Sequence, residues 1–370
     1  MIKDLHIVCL AQPYPPNYGG AVEMYYKLKA LHAAGVKITL HIFLYGDYKP
    51  QEELSQFASK IYYYRRYTGI QAQLSLQPYT VKSRKNAELL RNLCSDNSPI
   101  LFEGLHTCAF LGHPSLRKRY KIVRTHNIEH EFYRKLASYH PMSWKSVFFN
   151  IEAWKLEHYE KVLRYANRIL AISEADAEQL SHRYPNNDVR LLNCFFDDTL
   201  DNDIIETQPY ILYHGNLSIA ENIRVAEYLL SEIAPHVSYR LIMAGLNPVE
   251  GIVRKVMKVP NVELIPNPSK EQMDKLVAMA HINLLITFQN TGVKLKLLNS
   301  LYKGQGYVIA NNDMIHGTKL GKLCTIANTA EEIVQSVNRL MKEKVSDELS
   351  HERRHTIRQL GYNRVDNIIN

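Results

Sequence analysis

Several polar side chains that could take part in acid–base chemistry follow two predicted strands in the first half of the chain. The segment LFEGLH places Glu103 and His106 after one strand, and RTHNIEHE places His126 and His130 after the next. A carboxylate or imidazole at such a position could orient a substrate hydroxyl and move its proton. For each histidine, a structural or helix-capping role is an equally open alternative. His126 and His130 have a metal-ligand spacing, but His-Glu-x-x-His is not formed and no third ligand is evident, so we expect no metal.

The adjacent glycines Gly19 and Gly20 lie between a predicted strand and an amphipathic helix, in the segment NYGGAVEMYY. Glycines that open a helix leave its first backbone amides accessible to an anion such as a phosphate. A simple turn is the alternative. The fingerprint Gly-x-Gly-x-x-Gly is absent, which argues against a nicotinamide or flavin enzyme.

Strand-like and helix-like segments alternate twice along the chain. In the first half, the short apolar runs are LHIVCLA, KITLHIF, PILFE, KIVRT and RILAIS, and each precedes a segment with helical spacing. The same pattern restarts with YILYHG, YRLIMAG, NVELI, INLLI and YVIAN. Such alternation is typical of βαβ units in a parallel sheet. The predicted fold class is therefore α/β, with two doubly wound, Rossmann-like domains that face each other across a cleft, where such sheets bind ligands.

The polar stretch DDTLDNDIIETQP separates the two sets of elements. We therefore predict an N-terminal domain over 1–196, a linker over 197–208 and a C-terminal domain over 209–345. A final helical segment over 346–370 is predicted to pack back on the N-terminal domain. The linker contains Asp-x-Asp at Asp201 and Asp203, but it follows no strand, and we interpret it as a solvated acidic turn.

Positive charge is concentrated in the first half of the chain. The net charge of the 370 residues is +8, and residues 60–124 hold 12 Lys and Arg against 3 Asp and Glu. Three interpretations are open: a solvated basic face, an anionic membrane surface, or a phosphate-bearing substrate. No nucleic-acid-binding motif accompanies the charge, so we expect no nucleic acid partner. For the membrane interpretation, the predicted contact residues are Arg65, Arg66, Arg84 and Lys85.

The cysteines and the lengths of the apolar runs indicate the cellular compartment of the protein. The five cysteines are scattered and form no Cys-x-x-Cys, which fits reduced thiols. No apolar run approaches membrane-spanning length, and the N-terminus lacks a signal-peptide pattern. We expect a cytoplasmic protein, with peripheral attachment to the inner face of the membrane as an open alternative.

The order of seven segments resembles glycosyltransferase family 4 and its relatives of GT-B architecture. These segments are YPPNYGG with its helix and AGVKITL, RTHNIEHEFY, AISEAD, LLNCFFD, YHGNLSIAENI, LIMAG and GVKLKLLNSLYKGQGYVIAN. The resemblance covers nearly the whole chain. It implies that the first domain binds the acceptor and the second binds a nucleotide-diphosphate sugar. It also implies that Gly19 and Gly20 face the diphosphate of this donor.

The donor site implied by the resemblance departs from the family pattern. Two glutamates of the family correspond here to Thr291 and Asn299, whereas Gly292 and Lys296 match a Gly-x-x-x-Lys found in a subset of relatives. Lys296 is the predicted catalytic cation that complements the leaving diphosphate; a solvated lysine is the alternative. After YHG, the usual arginine and lysine are replaced, and Lys294, Lys296, Lys319 and Arg224 are the candidate substitutes. The other predicted donor contacts are Gly215, Asn216, Gly317 and Thr318.

The sequence therefore predicts a glycosyltransferase that moves a sugar from a nucleotide-diphosphate sugar to a glycan or lipid-linked acceptor. The resemblance implies a retaining, metal-independent reaction without a cofactor, in cell-surface polysaccharide or glycoconjugate assembly. Glu103, His106 and His126 are the predicted acceptor-side catalytic residues. Two alternatives remain open: a catalytically degenerate nucleotide-sugar-binding or scaffold protein, and a nucleotide-sugar epimerase of the same fold.

Overall fold

The computed structural model describes residues 1–46, 49–138, 143–200, 206–289 and 294–370. The chain forms two compact units. Unit 1 comprises Met1–Phe196 and Tyr362–Asn370, and unit 2 comprises Asp197–Gly361. The predicted boundary residues and the predicted acceptor, linker and donor roles remain predictions.

Unit 1 is built on a parallel sheet, whose described strands number seven in the order β3-β2-β1-β4-β5-β6-β7. These strands are β1 (Asp4–Val8), β2 (Lys37–Leu44), β3 (Lys60–Arg65), β4 (Ile100–Glu103), β5 (Lys121–Arg124), β6 (Arg168–Ala171) and β7 (Asp188–Leu191). The helices that precede the second unit are α1 (Gly19–Ala33), α2 (Ile70–Gln73), α3 (Tyr79–Lys82), α4 (Ala87–Leu93), α5 (Glu129–Ser138), α6 (Trp144–Tyr159) and α7 (Glu174–Arg183). Short 3₁₀ helices occupy Glu52–Gln56, Leu105–Phe110, Pro114–Leu116 and Glu160–Tyr165.

Both faces of the unit 1 sheet are covered, as the apolar strand sequences predict. In β4, Leu101 packs into one core with α1, whereas Phe102 packs into the opposite core with α6. Successive strand residues point to opposite faces, so a strand buried on both sides reads as a continuous apolar run. The edge strand β3 is different, because a run of three tyrosines lies between exposed cations at the two ends of the strand, and only the third tyrosine is buried; the sequence analysis assigned β3 to the basic segment and missed it as a strand.

Unit 2 repeats the architecture with a parallel sheet of six described strands in the order β10-β9-β8-β11-β12-β13. The strands are β8 (Gln208–His214), β9 (Arg240–Gly245), β10 (Val262–Pro266), β11 (Ala280–Leu285), β12 (Tyr307–Ala310) and β13 (Thr325–Ile326). The helices are α8 (Ala220–Tyr228), α9 (Glu250–Val256), α10 (Lys270–Met279), α11 (Leu295–Lys303), α12 (Asn312–Ile315), α13 (Ala330–Leu340) and α14 (Asp347–Gln359). The remaining helical turns are Leu229–Ile233, Ala234–His236 and Leu320–Leu323, and α15 (Asp366–Ile369) belongs to unit 1.

Local sequence signals explain where several of these helices begin. Ser269 and Thr329 each accept a hydrogen bond from the backbone three residues on, and Gln272 and Glu332 return one, which makes two capping boxes. The helix α1 instead begins at Gly19 without a side-chain cap. The two parallel α/β units confirm the predicted fold class.

Candidate functional site

The carboxyl edge of the unit 2 sheet brings together the turn after β8 and the start of α11. Gly215 follows β8, and a Cβ atom added to Gly245 at the end of β9 would lie 1.8 Å from the Gly215 carbonyl oxygen. The two strand ends therefore approach so closely that only glycine fits at Gly245. Asn216 accepts hydrogen bonds from the Ser218 amide at 3.0 Å and the Ser218 hydroxyl at 2.7 Å. The Asn216 side chain thus shapes the turn that leads into α8.

Lys296 lies in the first turn of α11, at this edge of the sheet. Its Nζ is 3.4 Å from Asn222 Oδ1 and 5.1 Å from the centre of the Tyr213 ring, and both partners are uncharged. Burial lowers the pKa of Lys296 to about 8, with Glu221 opposing this effect and Lys294 adding to it. An anion beside Nζ would favour the charged form of this lysine. The start of a helix favours an anion as well.

The neighbouring cations are already engaged. Lys294 Nζ lies 3.2 Å from Glu221 Oε1 in the first turn of α8, and the Thr287 hydroxyl donates to the same carboxylate oxygen. The guanidinium of Arg224 stacks 4.5 Å from the centre of the Phe288 ring. Of the two lysines at the start of α11, Lys294 is therefore paired with a carboxylate, whereas the described contacts of Lys296 are with uncharged groups.

Asn299 follows Lys296 by three residues, so both side chains project from adjacent positions on α11. Its Oδ1 atom is buried and has no hydrogen-bond partner within the described parts of the chain. A buried acceptor without a donor costs about 1–3 kcal/mol, which a bound hydroxyl group would recover. Beside it, the Ser300 hydroxyl is 3.1 Å from His214 Nε2, and burial together with Lys296 lowers the pKa of His214 to about 3. His214 is therefore neutral near pH 7 and holds α11 against β8.

Two further predicted donor contacts, Gly317 and Thr318, lie in the loop after α12. Thr318 donates its hydroxyl to the Ile315 carbonyl at 2.7 Å and accepts from the Leu320 amide at 3.3 Å, so both roles of the hydroxyl are used within its own loop. Gly317 adopts a φ of 69°, which favours glycine there. Thr291 and Gly292 lie outside the described residues, as does the Asp-x-Asp of the linker.

In unit 1, the predicted residues Glu103 and His126 belong to a buried charged cluster. Glu103 ends β4, and its carboxylate lies 2.9 Å from Lys27 Nζ and 3.0 Å from His126 Nε2. Burial alone would raise the pKa of Glu103, but Lys27 and His126 outweigh it and the pKa is lowered. Glu103 is therefore an ionised anchor that orients the half-buried His126 ring.

The cluster continues through Glu23, which pairs with two cations. Glu23 Oε1 is 3.1 Å from Lys27 Nζ and 2.8 Å from a terminal nitrogen of Arg124, and Oε2 accepts from the Phe195 amide at 2.7 Å. Burial opposes its ionisation, yet Arg124 and Lys27 lower the pKa of Glu23 to about 2. Glu23, Lys27 and Arg124 were missed in the sequence analysis. A signal was available, since Glu23 and Lys27 are one turn apart and interrupt the buried stripe of α1.

The other two predicted histidines of unit 1 have different surroundings. The half-buried His106 Nε2 lies 3.3 Å from Glu129 Oε2 at the start of α5. His130 is buried against Glu160 at 2.9 Å, and Arg183 binds the same carboxylate at 2.7 Å. Although His126 and His130 are four residues apart, they contact two different carboxylates, Glu103 and Glu160, in separate clusters. Among the described residues, no group of three or more His, Cys, Asp and Glu side chains is placed to hold a metal ion.

The glycine pair opens α1, the helix that also carries Glu23 and Lys27. Tyr18 precedes it in an extended conformation and provides no side-chain cap, and the first turn contains no acidic residue. A Cβ atom added to Gly20 would meet the Tyr18 ring at 3.2 Å. Lys27 ties this helix to β4 through Glu103, and Glu23 ties it to β5 through Arg124, so α1 is held in place by the buried cluster.

The structure corrects the predicted basic docking face. Arg84 is buried, and it donates to the carbonyl of Leu10 at 3.0 Å and of Thr80 at 2.7 Å. Arg66 is half-buried and donates to the Ser83 hydroxyl at 3.0 Å. These two guanidiniums satisfy backbone and hydroxyl acceptors inside unit 1 and cannot form a solvated basic patch with Arg65 and Lys85. Across the described parts of the chain, no helix is both long and apolar enough to cross a membrane.

Sequence comparisons find one relative of this chain among curated proteins. No family model matches the chain. A protein of Klebsiella pneumoniae, described as an uncharacterized 44.6 kDa protein in the cps region, is 24% identical over 343 residues, which cover 87% of this chain and 84% of that protein.

Solved structures resemble the chain over nearly its whole length. Sucrose-phosphate synthase of Thermosynechococcus elongatus gives a TM-score of 0.70 at 13% identity, covering 97% of this chain and 95% of that one. TarM gives 0.68 at 11% identity, covering 97% and 96%. HepE of Anabaena, solved with UDP and glucose, gives 0.64 at 11% identity, covering 98% and 96%. These neighbours are GT-B glycosyltransferases, and the likeness confirms the GT-B fold.

Proposed function

We propose that this protein is a glycosyltransferase that moves a sugar from a nucleotide-diphosphate sugar to an acceptor hydroxyl. The observation that carries the proposal is the start of α11, where Lys296 contacts uncharged partners and Asn299, one turn later, has a buried Oδ1 without a hydrogen-bond partner among the residues that the structure describes. A cation and the backbone amides at a helix N-terminus can bind a diphosphate, and a side-chain oxygen can accept a hydrogen bond from a ribose hydroxyl. The solved neighbour HepE binds UDP and glucose within the same fold, which supports this assignment.

The proposed reaction is retaining and needs no metal ion or cofactor. The acceptor hydroxyl attacks the anomeric carbon on the face from which the diphosphate leaves, and a phosphate oxygen takes the hydroxyl proton. Lys296 stabilises the negative charge that develops on the departing diphosphate. The amides at Gly19 and Gly20 and the turn at Gly215 and Asn216 are proposed further contacts of the donor.

Unit 1 is the proposed acceptor-binding unit. The side chains of His126, held by Glu103, and of His106, held by Glu129, are 10% and 13% exposed, and we propose that these exposed edges face the acceptor. Either imidazole could hydrogen-bond an acceptor hydroxyl. The acceptor we propose is a glycan or lipid-linked sugar of a cell-surface polysaccharide, which fits the cps region of the Klebsiella relative. For a lipid-linked acceptor, we propose that the protein is cytoplasmic and acts at the inner face of the membrane.

A thermal-shift screen of nucleoside diphosphates and their sugars, followed by a turnover assay, tests the proposal. A ligand at 100 times its Kd stabilises the folded protein by about 2.7 kcal/mol, so the cognate nucleotide should raise the melting temperature. Binding followed by transfer to an acceptor is the expected result. Binding without transfer or hydrolysis would identify a degenerate donor-binding protein, and conversion of the donor without any acceptor would identify an epimerase. The absence of stabilisation by every nucleotide would reject a donor site.

Asn299→Ala should weaken nucleotide binding by about 1 kcal/mol, the typical net contribution of one hydrogen bond, which corresponds to a Kd about 5-fold higher. Isothermal titration with the nucleotide found in the screen measures the difference. Asn338→Ala is the matched control, because Asn338 is half-buried on another helix, α13. Equal affinities of wild type and Asn299→Ala would show that the nucleotide does not use this side chain.

A further inference from the structure

The outer face of α6 carries a stripe of large exposed apolar side chains. Trp144, Val147, Ile151 and Trp154 recur every three or four residues, and Trp144 is 76% and Trp154 54% exposed. This spacing places all four on one face of the helix. The opposite face is packed into unit 1 through Ala153 and Leu156. The chain has two tryptophans in total, and both belong to this stripe.

A second exposed apolar segment lies beside α6. Ile70, Leu74 and Leu76 are exposed, with Leu76 at 87%. Residues 67–81, which contain them, include no charged side chain. We call the four residues on α6 and these three residues the interfacial surface.

A buried ion pair of α6 fixes the segment against the helix. Lys155 Nζ binds Glu152 Oε1 at 2.9 Å and donates to the Gln73 carbonyl at 3.3 Å, while Glu152 Oε2 accepts from the Tyr79 amide at 2.7 Å. These contacts fix the exposed segment to α6 in its middle, at Gln73, and just beyond it, at Tyr79. The two parts of the interfacial surface therefore belong to one rigid feature of unit 1 rather than to separate loose loops.

The chemistry of this surface and its surroundings matches a lipid bilayer that carries negative charge. Exposed cations flank both parts, with Arg65 and Lys85 on either side of the uncharged segment and Lys145 next to Trp144. Tryptophan is enriched where a membrane meets water, and cations favour anionic headgroups. A helix with an apolar face and neighbouring basic residues can lie in that interface without crossing the membrane.

We propose that the interfacial surface docks unit 1 on an anionic membrane, with the tryptophans and leucines entering the headgroup region. This surface replaces the docking face expected from the basic segment, in which Arg84 is buried and Arg66 is half-buried. Membrane docking goes beyond sugar transfer and would hold even for a protein without transferase activity. It brings a lipid-linked acceptor and the protein to the same surface.

Intrinsic tryptophan fluorescence tests the docking without a label, because both tryptophans lie on the interfacial surface. Vesicles of phosphatidylglycerol and phosphatidylcholine in equal parts should shift the emission of the full-length protein to shorter wavelength and carry the protein into the pellet on sedimentation. Vesicles of phosphatidylcholine alone should bind it less. At 1 M salt, where the Debye length is about 3 Å, the electrostatic part of the binding should be lost.

Two double variants separate the interfacial surface from charge alone. Leu74→Ser/Leu76→Ser and Val147→Ser/Ile151→Ser should each lower partitioning to the anionic vesicles by on the order of 10-fold or more, because each removes two exposed apolar groups that would be buried. Met257→Ser/Ile326→Ser is the matched control, since both residues are exposed in unit 2. Circular dichroism checks that all variants are folded.

Two results would overturn the proposal. One is unchanged emission and no sedimentation of the wild-type protein with anionic vesicles at low salt. The other is a shift in emission that depends on protein concentration without vesicles and is accompanied by dimers in analytical ultracentrifugation, which would show that a second copy of the chain covers the surface.

Discussion

Lys296→Ala should lower the rate of sugar transfer by on the order of 10²-fold or more, the typical loss when one preorganised electrostatic contact is removed. The reason is local. Glu221 contacts Lys294 directly, whereas Lys296 contacts the uncharged Asn222 and Tyr213, so its charge is available to the diphosphate of the proposed donor. Single-turnover rates at saturating donor measure the effect. Lys255→Ala is the matched control, because Lys255 is an exposed lysine paired with Glu227 and should leave the rate unchanged.

The pH dependence shows whether the effect comes from charge. Burial lowers the pKa of Lys296 from 10.5 to about 8, so the side chain is charged below pH 8 and becomes neutral above it. In the wild type, kcat/KM should therefore fall as the pH rises through about 8. A bound diphosphate favours the charged form, so the fall in kcat should come at higher pH. Lys296→Ala should lack this titration. A full rate in Lys296→Ala, or the same titration in both proteins, would remove Lys296 from the site.

The fold class was predictable because each parallel strand carries its own signal. Strands buried on both faces, such as β4 and β5, contain short runs of apolar residues. Segments whose apolar residues have helical spacing follow them. The edge strand β3 lacked this signal. Two of its three tyrosines are only half-buried and its ends are cationic, so its composition resembles a surface segment more than a strand.

The candidate site was predictable only in part. The three-residue separation of Lys296 and Asn299 on a helix follows from the sequence. The pairing of Lys294 with Glu221, 73 residues away, does not, because it depends on how α8 and α11 meet at the end of the sheet. Charge counting failed for a similar reason. Arg84 and Arg124 contribute to the positive excess of residues 60–124, yet both are buried and serve internal acceptors.

The buried cluster of unit 1 leads to the second large prediction, a strong loss of stability in Glu23→Ala. Glu23 binds Lys27 and Arg124, which are themselves fully buried. Removing one partner of a buried ion pair leaves an uncompensated buried charge and costs about 3–5 kcal/mol. Urea unfolding followed by circular dichroism measures the change, and hydrogen exchange locates it in unit 1. The exposed pair of Glu227 and Lys255 provides the control, since Glu227→Ala should cost about 1 kcal/mol or less.

Acid titration distinguishes an ionic from a steric role for Glu23. Its pKa is lowered from the ordinary 4.5 to about 2 in the folded protein, so its ionised form favours folding above pH 4.5 and this contribution disappears as the pH falls through about 2. The wild type should therefore lose stability over that interval, and Glu23→Ala should lose less because it lacks the titrating group. Equal losses in both proteins, or a cost of Glu23→Ala no larger than that of Glu227→Ala, would contradict the ionic role. Loss of Glu23 would also remove one of the two carboxylate partners of Lys27. Because α1 would then be held less firmly, amide hydrogen exchange at its start, at Gly19 and Gly20, should rise even at neutral pH.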